Sequence, residues 1–453
     1  MNTKKNNFKK KVSNKKRKYK RKRSLIYKKY RKIKSKKGGG CREKIEGTNK
    51  WGTVTPNITK NQYKSCNNII TTIDLKEGIV SIEAYTFQNF KNLTNVNLSN
   101  TNLITLSNYT FSGCTNLSVV TFPNTLKSIG EGVFRECSNL KALQFPNSLE
   151  SIGKDSFKNS GLTNIDLSNT QVSFPTEESC FEGCNNLTIV NLNTPTIKQL
   201  SKNTFKNLRN LKTVILNDLL ETIGAFCFMD CRNLSEINFP SKLNKIGISA
   251  FENCYELTGK INLPTLNTLS KNAFSNCYKL EGVDFNGNQS LEIIDSFAFQ
   301  NCEELKNINL PISITNINGF AFKGCTKLEN LILPQNLKQI SSYSFGYCES
   351  LIELIFPASL QLLYENSFAE CKNLKTIKFK KHNPPLSNTY IGPYIQKNSF
   401  TNCGTVTSFV KQNIVNVVID PYGNKGDVVK GYGDKNILDN TWYKLSPESK
   451  LWM

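Results

Sequence analysis

A phenylalanine returns along this chain with a period near 23 residues, and that period constrains the fold more than any other feature. It stands at Phe87, Phe111, Phe134, Phe157, Phe181, Phe205, Phe228, Phe251, Phe274, Phe299, Phe322, Phe345 and Phe368, with spacings of 23 or 24 residues and one of 25. Tyr63 with Cys66 reads as a degenerate first copy, and Phe400 with Cys403 as a last one after a gap of 32 residues. A segment this short cannot enclose its own apolar face, so copies must stack and share one continuous core. Residues 61–403 therefore form a single repeat solenoid of about 14 units rather than three ordinary domains.

One unit, Phe134 to Gly153, shows how the chain turns within each copy. Leu143-x-Phe145 alternates like a short strand, and Pro146-Asn147 makes a corner that cannot continue a ladder. Leu149-x-x-Ile152 offers a second extended stretch, and Gly153 permits a turn. The residues leading to Phe157 are expected to make one helical or 3₁₀ turn.

These residues resemble the BspA-like class of leucine-rich repeats, whose consensus runs close to L-x-x-I-x-L-P-x-S-L-x-x-I-G-x-x-A-F-x-x-C. Leu234 through Cys254 and Leu328 through Cys348 match it almost position for position. The resemblance implies a right-handed, curved leucine-rich-repeat solenoid with a parallel sheet along one face and short 3₁₀ or helical turns. It also implies recognition of other molecules, with no shared catalytic residue. The chain departs from the pattern at Phe90, Ser160 and Leu208, which replace the cysteine, and at Leu162, which comes one residue early.

The formal net charge of +24 is concentrated in one place. Residues 1–40 hold 20 Lys and Arg and no acid, so the remainder, with 39 basic (59 − 20) and 35 acidic side chains, is only +4. Such a density of like charge with so few apolar residues predicts a disordered polybasic tail, jointed to the body by Gly38-Gly39-Gly40. Lys15, Lys16, Arg17, Lys18, Lys20, Arg21, Lys22 and Arg23 are its densest cluster. A cluster of this kind suits a nuclear import receptor (importin), nucleic-acid phosphates or another polyanion, or an anionic membrane surface, and the sequence does not choose among them. No apolar run is long enough to span a membrane, and no signal peptide is recognised. The expected location is intracellular, the nucleus included; a nucleic-acid-associated factor acting through the arm, or a surface or secreted adhesin of the kind the resemblance implies, stay open as alternatives.

Catalytic chemistry finds little to work with. His382 is the only histidine and sits in the Lys380–Pro385 stretch that breaks the period, without a marked nucleophile or orienting carboxylate. No phosphate-binding glycine motif occurs, and the C-x₃-C pairs Cys180/Cys184 and Cys227/Cys231 each include a ladder cysteine and have no nearby histidine to complete a zinc site, so no enzyme activity, cofactor or metal is expected. Eleven of the 15 cysteines follow a repeat phenylalanine at one fixed position, which predicts a ladder of buried free thiols.

The informative positions are those facing outward from the sheet. They include Asn238, Asn262, Asp284, Asn309, Ile332 and Ile355, an amide-rich row with two apolar members expected on adjacent strands. This row is the expected contact face for a protein partner, on a monomeric scaffold. Residues 41–60 and 404–453 are expected to cap the two open ends, which would otherwise expose core and strand edges.

Overall fold

The structure, a computed structural model, describes residues 44–46, 57–60, 63–173, 180–380, 393–396, 398–403, 408–411 and 418–419. The basic arm 1–40, His382 and most of 404–453 lie outside the described residues. The chain is a parallel β-solenoid of about 14 turns with almost no helix.

Most turns contribute two short strands, which stack into two columns of parallel pairs. In the first column Thr72–Asp74 pairs with Asn95–Asn97, which pairs with Val119–Thr121. In the second, Thr105–Leu106 pairs with Ser128–Ile129 and then Ser151–Ile152. Strand pairs continue to both ends, with Lys44–Glu46 beside Thr72–Asp74 and Ser408–Lys411 beside Thr376–Phe379. Equivalent residues pair with equivalent residues, so each side chain sits on its own copy one unit away.

That register builds the core. The rings of successive repeat phenylalanines stack at centroid distances of 5.1 to 5.8 Å, as in Phe111–Phe134 and Phe251–Phe274, nearly parallel throughout. Tyr63 stacks on Phe87 at 5.9 Å and Phe400 on Phe368 at 5.6 Å, so both degenerate copies take their places in the column. The repeat phenylalanines from Phe87 to Phe368 are fully buried. Each stacked pair adds ~0.5 to 1.5 kcal/mol beyond the burial of its area.

The third side of each turn differs from the expected helical or 3₁₀ turn. Among the described residues the only 3₁₀ helix is Lys64–Cys66. Elsewhere alternate backbone donors go separate ways. Tyr85, Phe87 and Asn89 donate N–H groups to the carbonyls of Asn108, Thr110 and Ser112 in the next unit, whereas Thr86, Gln88 and Phe90 donate locally, three residues back. A helix needs every donor for itself, so this side becomes a chain of tight turns bonded to its neighbour. The residues two before and two after each repeat phenylalanine adopt positive φ, as at Phe297 (61°) and Asn301 (56°). Where Asn301 turns its side chain along the column, the next unit carries Gly324, at φ 77°; a Cβ there would lie 2.5 Å from Asn301 Oδ1.

The expected strand at Leu143-x-Phe145 is absent. The following unit runs Phe157 to Leu162, one residue shorter than Phe134 to Leu140. Its corner is so tight that a Cβ on Gly161 would lie 2.0 Å from the Ser138 carbonyl oxygen. Only the lead-in bond from Thr163 N–H to the Lys141 carbonyl, 2.9 Å, is kept there, as Ser118 N–H to Thr94 is beside an intact ladder.

The cysteine column is more than small apolar filling. Each ladder thiol donates to the carbonyl of the phenylalanine one unit earlier, Cys254 to Phe228 at 3.2 Å and Cys277 to Phe251 at 3.2 Å among them. Burial pushes the fully buried ladder thiols, Cys114 to Cys371, up, Cys114 to about 12 and Cys184 to about 11, and so keeps them protonated donors. Thirteen described cysteines are free, the eleven ladder thiols included, while Cys66 is disulfide-bonded.

Two outcomes follow from this core. Phe228→Ala removes a ring stacked on both sides and should cost ~3 to 5 kcal/mol in urea denaturation; a loss below 1 kcal/mol would contradict a shared ring column. The folded thiols hold protons that the unfolded chain releases near the ordinary thiol value of 9.0, so stability should fall as pH rises from about 9 toward 12. Thiol labelling of Cys114 to Cys371 in native buffer should meanwhile proceed only as fast as unfolding, and prompt reaction of these ten ladder cysteines would refute their burial.

Candidate functional site

The outward row of the first-strand column arises because side chains alternate across a strand, leaving every second residue facing away from the core. Asn262, Asp284 and Asn309 fall in register on three consecutive strands. Asn262 and Asn309 are exposed and Asp284 half-buried. Beyond Asn309, the pairs Asn307–Asn330 and Ile308–Leu331 bring Ile332 into the same row. Ile332 is 74% exposed, the most exposed large apolar side chain among the described residues.

Two members of the row depart from expectation. Asn238 follows a strand of only two residues, Glu236–Ile237, and its amide extends the ladder by substituting for backbone. Its Oδ1 accepts from Leu216 N–H at 2.8 Å and its Nδ2 donates to the Leu216 carbonyl at 3.0 Å, so it serves the scaffold. Ile355 is half-buried and lies in register with Lys378, whose ammonium pairs with Glu353. Among the described residues no strand ladder joins Asn330–Leu331 to Glu353–Phe356, so Ile332 and Ile355 belong to separate sheets, not to hydrogen-bonded neighbours.

Next to Asn309 the surface is indented. The corner between Phe285 and Leu291 spans six residues where Phe239 to Leu243 spans four, which accounts for the one spacing of 25. The preceding corner, Leu263 to Leu266, is one residue shorter than usual, and the long corner leans over it. Asn288, buried, donates to the carbonyls of Leu266 at 2.7 Å and Leu263 at 3.3 Å and accepts from Ser290 and Leu291 N–H. Asp284 accepts from Asn286 N–H and Nδ2 at 2.9 and 2.8 Å. The result is a fixed notch of about 250 Å³ against Asn309, Leu310, Pro311 and Ile312.

A second surface feature lies on the turn side and was not singled out from the sequence. Phe297, Phe320 and Tyr343 stack at 4.9 and 5.3 Å, with Lys323 Nζ within 5.6 Å of the Phe320, Tyr343 and Tyr347 rings. Tyr85 and Tyr109 form a similar pair at 5.1 Å. The available signal was an aromatic two residues before the repeat phenylalanine, in consecutive copies.

Among the described residues no cluster of His, Cys, Asp or Glu could hold a metal ion, and no helix is long and apolar enough to cross a membrane. The Cys180–Cys184 and Cys227–Cys231 pairs are buried free thiols. The polybasic residues Lys15 to Arg23 lie outside the described residues.

Comparison with known proteins places this geometry. In solved structures, a leucine-rich repeat protein from Bacteroides ovatus is 24% identical over 74% of this chain and 88% of its own, with a TM-score of 0.53. One from Eubacterium ventriosum is 20% identical over 72% and 87%, with a TM-score of 0.42. No curated protein matches the sequence. The family model described as "BspA type Leucine rich repeat region (6 copies)" matches residues 56–177, 175–281 and 267–407, nearly the whole span of stacked strands. The chain therefore belongs to the BspA-type leucine-rich repeat family.

Proposed function

We propose that this repeat scaffold binds a protein partner through the outward row of its first-strand column, centred on Asn262, Asp284, Asn309, Ile332 and Ile355. The observation that carries the reading is Ile332, 74% exposed on a rigid ladder. A single exposed isoleucine is ordinary on a protein surface, but this one continues a row of amides on stacked strands. A partner docking there orders few side chains and keeps most of its binding energy. Ile332, once desolvated, contributes ~1.5 to 3 kcal/mol, enough for more than a tenfold change in affinity, and the half-buried Ile355 contributes less. The double variant Ile332→Lys, Ile355→Lys should stay folded, because neither side chain is in the core, and should lose partner capture. Unchanged capture by the folded double variant would move the contact to loops or ends.

The 20 cations of residues 1–40 are proposed to add polyanion or import-receptor binding that folding does not require. Deleting 1–40 should leave the melting temperature unchanged and abolish heparin and nucleic-acid retention. Equal retention by the truncated chain would assign that binding to the body, and unchanged nuclear import would remove the targeting role.

Cys66 favours a second reading, an exported recognition protein. A disulfide persists in an oxidising compartment and is reduced in the cytosol. Mass spectrometry of non-reduced peptides from the native source separates the two: a linked Cys66 peptide supports export, a free Cys66 thiol the intracellular scaffold.

A further inference from the structure

We infer that the notch at the long corner 285–290 is a binding site for one neutral hexose unit, a ligand distinct from the protein partner proposed above. Three observations lead there. The notch is built rather than incidental: the extra residues of this corner are held over the shortened corner 263–266 by Asn288, whose buried amide makes four hydrogen bonds. Gly287 takes φ 78° with nothing within 4 Å of an added Cβ, so it serves the turn and leaves open space beside it.

The lining then selects the ligand class. No charged side chain lines the notch. Asp284, which leads into the corner, is outside the lining and accepts from Asn286. Phe285, Leu310, Pro311 and Ile312 give an apolar floor and rim, while Asn286, Gln289 and Asn309 bring exposed amides. An amide offers donors and an acceptor on one planar group, which suits neighbouring hydroxyls of a sugar, and the apolar floor suits its C–H face. Among the lining side chains an anion would find no cation and a cation no acid. The space of about 250 Å³ admits one pyranose ring and leaves the rest of a glycan in solvent.

The site is shallow, so binding to a single ring should be weak, with Kd near ~1 mM. Saturation-transfer NMR on the full chain, with a panel of neutral methyl hexosides and methyl glucuronide, tests it. At least one neutral hexoside should receive saturation and the glucuronide none; Gln289→Ala should weaken that binding at least fivefold without changing the melting temperature. Free sugar and protein-borne glycan are separated by a second arm, in which a high-mannose glycoprotein is presented before and after enzymatic glycan removal. Silence from every neutral hexoside at 10 mM, equal binding of the glucuronide, or an unaffected Gln289→Ala variant would each overturn the assignment. The Ile332→Lys, Ile355→Lys variant keeps the two readings apart: it should lose the protein partner and retain the hexoside.

Discussion

The structure depends on a division of labour among backbone N–H groups. On the turn side of each unit, alternate donors close local turns and the others reach the carbonyls of the next unit. Both strands of the unit send their bonds to neighbours as well. A unit taken alone would leave these donors to water, and each bond exchanged for one to a neighbour adds ~0.5 to 1.5 kcal/mol net. Once stacking buries the apolar faces, a donor without its neighbour would cost ~1 to 3 kcal/mol, so burial and inter-unit bonding require each other. Burial of the phenylalanine column then fixes the register, because a slip by one residue would turn these rings out of the core.

Most of the fold was legible because its determinants recur. Phe228, Cys231, Leu234 and Ile246 mean little singly, but the same four offsets repeated along the chain leave one architecture that can bury them. What was illegible depends on a few tenths of an ångström or on a conformation that sequence does not announce. The strand expected at Leu143-x-Phe145 has the correct alternation, yet it pairs with neither neighbour: one sheet ends at Val119–Thr121 and the next begins at Asn164–Asp166, after the shortened corner at Ser160-Gly161. Bulky residues such as Phe297 and Phe320 rarely adopt positive φ, so a helical turn was the natural expectation. The inter-unit bonds and ring stacking of that side outweigh the local strain.

The candidate site shows the same split. The alternation rule correctly set Asn262, Asp284 and Asn309 in one row, since facing direction follows from strand period alone. It failed to see that Asn238 would be used by the scaffold, because that depends on the strand before it being only two residues long. The long corner was visible as one spacing of 25, but a length difference does not say whether the extra residues project, collapse or cross to a neighbour. The crossing amide of Asn288 settles that, through partners in the previous unit.

The recurrence of cysteine, rather than serine or alanine, in the column beside the phenylalanines has a physical reason. The position needs a small side chain that can donate to a carbonyl one unit away and still be buried without water. Serine could donate, but its hydroxyl loses more on leaving water than a thiol does; alanine would fit and leave the carbonyl with one partner fewer. At Ser160, where the column does use serine, the hydroxyl makes a contact of 3.3 Å with Cys184 Sγ. The same arrangement makes the ladder chemically quiet. Its thiols sit in parallel, each directed at the preceding unit, and burial holds them protonated, so neither disulfide exchange nor metal binding finds a thiolate. Recognition is left to the surfaces that the ladder holds rigid, where the repeat is either exposed, as at Ile332, or locally broken, as at the corner before Leu291.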